Sequence, residues 1–156
     1  MDLEYGQRYE DFRRGVRAFL DQHKPKDSPG EISGIRRKKL VEWLSLQIDE
    51  GYWARTIPKE FGGYGAEPNL LETVIMDEEF NRAGVPRGMA SQGASMLVPT
   101  LLEHGTDEQR QRWIGPTMRG EVIWCQGYSE PGSGSDLASL QTSAKEDGDD
   151  FIINGQ

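Results

Sequence analysis

Apolar positions recur with a helical period over most of the first 120 residues. The first predicted helix, over about residues 4–23, has its apolar stripe at Phe12, Val16, Phe19 and Leu20. The same reasoning predicts four further helices, over about residues 33–50, 69–84, 91–104 and 106–119. A glycine or proline ends each of them, and the glycine-rich stretch between the second and third helices predicts an ordered loop. Five helices with short connections predict an all-helical bundle.

The second helix carries a basic run at residues 36–39 beside an apolar stripe. That stripe consists of Ile35, Leu40, Val41, Leu44 and Ile48. The basic run is open to two interpretations, a patch for phosphate or membrane and the solvated side of an amphipathic helix. The adjacent stripe favours the solvated side.

The third and fifth helices have predictable faces and one predictable start. In the third helix we expect Leu71, Val74 and Ile75 to point inward. In the fifth, Thr106 and Gln109 have the spacing of a capping box. Its expected buried face consists of Trp113, Ile114 and Met118.

After Gly120 the pattern changes to alternation of apolar and polar residues. Strands are predicted over residues 122–128, 140–145 and 151–153, with a hairpin turn at Asp147-Gly148. The final Asn154-Gly155 is also a hairpin signal, but it is followed only by Gln156. We therefore expect a helical domain over residues 1–120 and a truncated β domain over 121–156, so that the chain is a piece of a longer one.

Composition and charge exclude several classes of function. The net charge of −8 over 156 residues argues against nucleic-acid binding, and no apolar run is long enough to span a membrane. His23, His104 and Cys125 are too scattered for a metal site. A single cysteine fits a reducing compartment, so we expect a cytoplasmic protein. Cys125 lies within a predicted strand, which favours a buried and inert thiol.

The segment 130–136 is rich in glycine and serine and fits none of three known loop motifs. It has neither the last glycine of a nucleophile elbow, nor the helix that follows a dinucleotide fingerprint, nor the lysine of a P-loop. Two interpretations stay open on composition. One is a flexible connection, and the other is a concavity of outward amide and hydroxyl groups that receives an anion or a large planar ligand.

The residues around this loop resemble the first signature of the acyl-CoA dehydrogenase family. The signature covers residues 124–138, WCQGYSEPGSGSDLA. Three other segments resemble that family in the same order: 57–65 (IPKEFGGYG), 104–113 (HGTDEQRQRW) and 150–156 (DFIINGQ). The resemblance implies a mainly α fold, in which an N-terminal helical bundle precedes the first strands of a β-barrel-like middle domain.

The resemblance also implies a chemistry and a set of partners. Family members use FAD to remove hydrogens from the α and β carbons of an acyl-CoA thioester in fatty-acid or related catabolism. Electrons then pass to an electron-transferring flavoprotein, and the subunits form homotetramers or heterotetramers. The family's glutamate base lies in a C-terminal domain, so the resemblance places the catalytic residue beyond Gln156 and implies that residues 1–156 alone are inactive.

Site residues follow from the match to the signature. Gln126, Tyr128 and Ser129 correspond to positions that contact the flavin ring, while Gly134 and Ser135 lie in the loop near the FAD phosphates. Ser135 is also expected to approach the CoA part of the substrate. Glu130 and Asp136 are interpreted as structural hydrogen-bond acceptors of that loop, not as the catalytic base.

The resemblance leaves two alternatives to the dehydrogenase function, and the residues of the acyl pocket have an alternative interpretation as core. The same fold occurs in acyl-CoA oxidases and flavin monooxygenases, and some members serve as non-catalytic partners in heteromeric assemblies. Candidates for lining the acyl pocket are Met89, Gln92, Met96 and Leu97, although a stripe at this spacing is also typical of plain core.

Overall fold

The computed structural model describes residues 6–26 and 34–156, with the side chains of residues 34–36 left out. The chain forms two compact units, Met1–Trp124 and Cys125–Gln156. The first unit is helical and the second contains a β-hairpin. A mainly α fold with the first strands of a β domain is therefore confirmed.

Five α-helices and one π-helical segment build the first unit within its described part. They are α1 (Gln7–His23), α2 (Gly34–Asp49), α3 (Leu70–Ala83), the π segment (Gly93–Leu97), α4 (Val98–His104) and α5 (Asp107–Met118). The predicted fourth helix is thus half π and half α. The predicted start of the first helix at Glu4 lies outside the described residues. At α5 the capping box is present in full, with the hydroxyl of Thr106 accepting from the amide of Gln109.

The apolar stripes of α1, α2 and α3 meet in one cluster. Val16, Phe19 and Leu20 of α1 are buried there as predicted, and Phe12 packs at its border. The other buried members are Trp43, Ile75, Met76 and Phe80. A second cluster joins the loop after α2 to α4 and α5 through Ile48, Ala54, Ile57, Val98, Ile114 and Met118. Ile114 and Met118 confirm the predicted face of α5, while Trp113 is half-buried.

The buried face of α3 differs from the prediction. Ile75 is buried, but Val74 is only half-buried and Leu71 is 40% exposed. The residues that face inward with Ile75 are Glu72, Met76, Glu79 and Phe80. The prediction is correct for Ile75 and wrong for Leu71. The inner stripe includes two glutamates, which arginines of α1 and Arg55 neutralise, and hydrophobicity alone does not predict such positions.

The basic run of α2 confirms the solvated interpretation where it is described. Arg37, Lys38 and Lys39 are exposed, whereas Leu44 and Ile48 are buried. Leu40 and Val41 are half-buried, and the side chains of Ile35 and Arg36 lie outside the described residues. Gln47, which was not predicted in the stripe, is fully buried and accepts from the amide of Gly88 at 2.9 Å.

The glycine-rich stretch after α2 is an ordered loop, as predicted. One turn of 3-10 helix at Lys59–Phe61 is followed by Gly62 with a φ of 84°. The amides of Gly63 and Gly65 donate to the carbonyls of Pro58 and Ile57 at 3.1 and 2.9 Å. Hydrogen bonds within the loop therefore satisfy part of its backbone, while the amides of Tyr52 and Trp53 at its start donate to the carbonyl of Gln47 in α2.

The second unit contains a two-stranded antiparallel sheet. Strands β1 (Ser143–Asp147) and β2 (Asp150–Asn154) are joined by a two-residue turn in which Gly148 has a φ of 66°. The strands predicted over residues 140–145 and 151–153 are thus confirmed, although the first of these begins later than expected. The turn lies at Gly148 and Asp149, one residue after the predicted Asp147-Gly148, because Asp147 pairs with Asp150 in the sheet.

The predicted strand over residues 122–128 is wrong. That segment has no strand structure, because a strand needs a neighbour for its backbone groups and none of the described residues pairs with it. Cys125 is consequently exposed, which corrects its interpretation as a buried thiol.

Candidate functional site

The loop of residues 130–136 is a hydrogen-bonded turn. The amides of Glu130 and Ser133 donate to each other's carbonyls at 2.9 and 3.1 Å. Ser133 is buried, and its hydroxyl donates to the carbonyl of Asp136 at 2.7 Å. The connection is therefore structured, and the Ser133 hydroxyl points into the loop instead of outward as the concavity interpretation required.

Glu130 links this loop to the two residues that precede β1. Its two carboxylate oxygens accept from the amides of Gln141 and Thr142 at 2.9 and 2.7 Å. Hydrogen bonds from the Thr142 side chain and then from these two amides lower the pKa of the Glu130 carboxyl. Glu130 is confirmed as a structural acceptor. At Asp136 the acceptor is the main-chain carbonyl, to which the hydroxyls of Ser133 and Ser139 both donate.

The Glu130 link gives a testable pH dependence. We expect Glu130→Ala to accelerate hydrogen exchange at the amides of Gln141 and Thr142, whereas Glu130→Gln, which keeps one acceptor oxygen, has a smaller effect. Because the folded-state pKa lies below the ordinary glutamate value of about 4.3, the charged contact persists somewhat below that pH and is lost as the pH falls through the lowered folded-state pKa. NMR exchange rates measured from pH 7 to pH 3 test this, and wild-type protection that is independent of pH would contradict it.

The five residues matched to flavin contacts lie exposed around this tied loop. Gln126, Tyr128 and Ser129 precede it, and Gly134 and Ser135 lie within it. A Cβ built on Gly134 would meet no atom within 4 Å, so the outer side of the loop is open. Exposed hydroxyl and amide groups beside an open glycine fit a large planar ligand with phosphates, such as FAD.

Trp124, which the sequence reasoning placed in the signature without a role, is held against α5. Its indole N–H donates to the hydroxyl of Thr117 at 2.9 Å, and its ring meets that of Trp113 edge to face, with centroids 5.3 Å apart. Gly93 of the π segment packs against it closely. No residue pattern predicts this contact, because Gly93 lies 31 positions before Trp124 in the sequence.

The four candidates for the acyl pocket are not core residues as a group. Gln92 and Met96 are exposed, and Met89 and Leu97 are half-buried. The helical unit also has a cavity of about 540 Å³, and none of the four lines it. Its walls come instead from the loop after α2, the start of α3, and Ala94, Val98 and Leu102.

Neither a metal site nor a membrane-spanning helix is found in the described ranges. Residues 6–26 and 34–156 hold no group of three or more His, Cys, Asp or Glu placed to bind a metal ion. Over the same ranges, every helix is too short or too polar to cross a bilayer.

Comparison with known proteins connects this geometry to a family. The family model described as acyl-CoA dehydrogenase, N-terminal domain, matches residues 7–121. The acyl-CoA dehydrogenase IpdE1 of Mycobacterium tuberculosis is 44% identical over 155 residues, which cover 94% of this chain and 40% of IpdE1.

Solved structures agree with the sequence comparison. The ChsE4-ChsE5 complex from Mycobacterium tuberculosis has a TM-score of 0.64 and 30% identity, covering 99% of this chain and 39% of that one. The Tcur3481-Tcur3483 steroid ACAD has a TM-score of 0.65 and 31% identity, covering 99% and 40%. The chain thus spans about two fifths of the length of these relatives.

Proposed function

This chain belongs to the acyl-CoA dehydrogenase family, and we propose that it is part of an FAD-dependent enzyme that oxidises an acyl-CoA thioester between its α and β carbons. The enzyme acts in the cytoplasm and passes its electrons to an electron-transferring flavoprotein. The observation that carries the proposal is the tied loop of residues 130–136. The loop lies beyond the family match at residues 7–121, and the five residues matched to flavin contacts are exposed around it.

The proposal assigns a task to each part of the signature. FAD, when bound, supplies the hydride acceptor. Gln126, Tyr128 and Ser129 hold and orient the ring through amide and hydroxyl groups, and Gly134 lets phosphates approach the main chain. Ser135 hydrogen-bonds to the phosphate or CoA part of the ligand. The Glu130 carboxylate accepts hydrogen bonds from two backbone amides. It therefore stabilises the loop and does not remove the substrate proton.

The proposal predicts a difference between this chain and the full-length protein. We expect the purified full-length protein to reduce an electron-accepting dye with an acyl-CoA substrate, and residues 1–156 alone to give no turnover, because the proton-abstracting base lies outside them. A dye-coupled assay over a series of acyl-CoA thioesters tests this. Turnover by residues 1–156 would contradict the absence of the base, and a full-length protein without flavin would contradict the proposed function.

The identity of the oxidant is tested in the same preparation. We propose a dehydrogenase instead of an oxidase or a monooxygenase. The substrate-reduced flavin of the full-length protein should therefore be reoxidised rapidly by an electron-transferring flavoprotein and slowly by dissolved oxygen. Stopped-flow absorbance under anaerobic and aerobic conditions separates the two, and rapid reoxidation by oxygen alone would favour the oxidase.

A second candidate function is that of one subunit in a two-component assembly. The observation in its favour is that two similar solved structures pair two proteins, the ChsE4-ChsE5 complex and the Tcur3481-Tcur3483 steroid ACAD. Purification with and without a co-expressed second acyl-CoA dehydrogenase tests it. One flavin per chain in a homotetramer supports a self-sufficient enzyme, whereas flavin binding only after co-expression supports the heteromer and makes bulky ring-bearing thioesters the first substrates to assay.

A further inference from the structure

Trp124 is the last residue of the helical unit, and the segment proposed to contact the flavin begins two residues later at Gln126. The indole N–H of Trp124 donates to Oγ1 of Thr117 at 2.9 Å. The Thr117 hydroxyl in turn donates to the carbonyl of Trp113 at 2.6 Å. Because Thr117 is fully buried, this chain of hydrogen bonds is shielded from water, and the indole has a defined position on α5.

The π segment closes the other side of the indole. A Cβ built on Gly93 would lie 2.5 Å from Cδ1 of Trp124 and 2.7 Å from Cγ2 of Thr117, so any larger residue would displace both side chains. Gly93 is itself buried and begins the π segment, where the helical register shifts by one residue. The backbone of the π segment therefore packs directly on Trp124 and Thr117.

We propose that Trp124 is a positioning residue for flavin binding. Held by Thr117, Trp113 and Gly93, it fixes the point at which the chain leaves the helical unit and so restricts the start of the segment 126–129. This inference rests on the proposed function. Its physical basis is preorganisation, since a segment that is already restricted loses less conformational entropy when the flavin orders it.

The chain contains a matched control for this inference. The indole of Trp53 also donates to the end of α5, reaching the carbonyl of Met118 at 2.9 Å. Its ring is packed closely too, because a Cβ built on Gly88 would lie 2.1 Å from it. No segment of the signature follows Trp53, so its loss should weaken the helical unit without affecting the flavin.

The experiment uses the full-length protein and the variants Trp124→Phe, Thr117→Val and Trp53→Phe. FAD titration of the flavin-free protein should show the dissociation constant for FAD raised about fivefold by Trp124→Phe and at least as much by Thr117→Val. Both changes remove the hydrogen bond from the indole of Trp124, and Thr117→Val also removes the bond to the Trp113 carbonyl. The double variant should resemble Thr117→Val, because that change already removes the bond that Trp124→Phe removes. Hydrogen exchange over residues 125–129 in the flavin-free protein should accelerate as well.

The control separates positioning from stability. Trp53→Phe should lower the melting temperature at least as much as Trp124→Phe while keeping wild-type FAD affinity and wild-type exchange over residues 125–129. Equal effects of Trp124→Phe and Trp53→Phe on FAD affinity and exchange would overturn the inference alone. A wild-type full-length protein that binds no FAD would overturn the proposed function and this inference with it.

Discussion

Replacing Glu79 by glutamine is expected to lower the free energy of unfolding of the helical unit by about 3–5 kcal/mol, the usual cost of breaking a buried ionic network. The Glu79 side chain is 1% exposed and lies on the inner face of α3. Its carboxylate accepts hydrogen bonds from Arg13, Arg17 and Arg82 at 2.7 to 2.9 Å. Two of these arginines belong to α1, so the network joins α1 to α3.

The ionisation of Glu79 explains the size of this effect. Hydrogen bonds from Arg17 and then from Arg13 and Arg82 outweigh burial and lower the pKa of the Glu79 carboxyl to about 2. A lowered folded-state pKa stabilises the protein above the unfolded value of about 4.3, and that contribution is lost as the pH falls toward about 2. Glutamine offers one weak acceptor to three guanidinium groups and removes the negative charge that Arg13, Arg17 and Arg82 share.

Urea unfolding followed by circular dichroism tests the prediction, with Glu78→Gln as the matched control. Glu78 is 48% exposed and makes its ion pair with Arg13 at 2.7 Å, so its loss should cost about 1 kcal/mol or less. The difference between wild type and Glu79→Gln should be largest near pH 7 and should shrink steadily below pH 4. Equal destabilisation by the two variants, or a difference independent of pH, would show that the network contributes little.

Gly63→Ala is the second large effect that we expect, with a loss of about 3 kcal/mol in the free energy of unfolding. A Cβ at this position would lie 2.2 Å from the carbonyl oxygen of Ile57 and 2.5 Å from its Cβ. That carbonyl accepts from the amide of Gly65 at 2.9 Å, and Ile57 is buried in the second core cluster. Neither atom can yield without disturbing the loop or the core.

The control for Gly63→Ala is Gly15→Ala in α1. A Cβ at Gly15 meets nothing within 4 Å, so alanine there should raise the free energy of unfolding by about 0.5–1 kcal/mol through its higher helix propensity. Denaturant unfolding of both variants measures the two opposite shifts. If Gly63→Ala unfolded at the wild-type urea concentration, the close approach at Ile57 would not constrain the loop.

Elements whose determinants are local could be predicted from the sequence. The start of α5 depends on Thr106 and Gln109, which are three residues apart and satisfy each other's amides. The inner stripe of α1 depends only on helical spacing, and Val16, Phe19 and Leu20 are buried as expected. The turn of the β-hairpin likewise needs only a residue that tolerates a positive φ at Gly148.

Features that depend on a distant partner could not be predicted. Glu72 and Glu79 occupy the inner face of α3 because arginines of α1, and Arg55 in the loop after α2, reach them. No hydrophobic pattern predicts such a pairing. The strand expected over residues 122–128 required a neighbour to accept its backbone hydrogen bonds. Because residues 122–128 form no strand, Cys125 is exposed.

For the candidate site, the sequence by itself determined the family signature and the five residues proposed to face the flavin, because these depend on residue identity and order along one short segment. Only the tertiary structure decided how that segment is supported. Glu130 closes the loop by reaching amides 11 and 12 residues away, and Trp124 meets Thr117 and Gly93 on two other elements. The physical reason is that hydrogen bonding and close packing act between atoms that the folded chain brings together, whatever their separation in sequence.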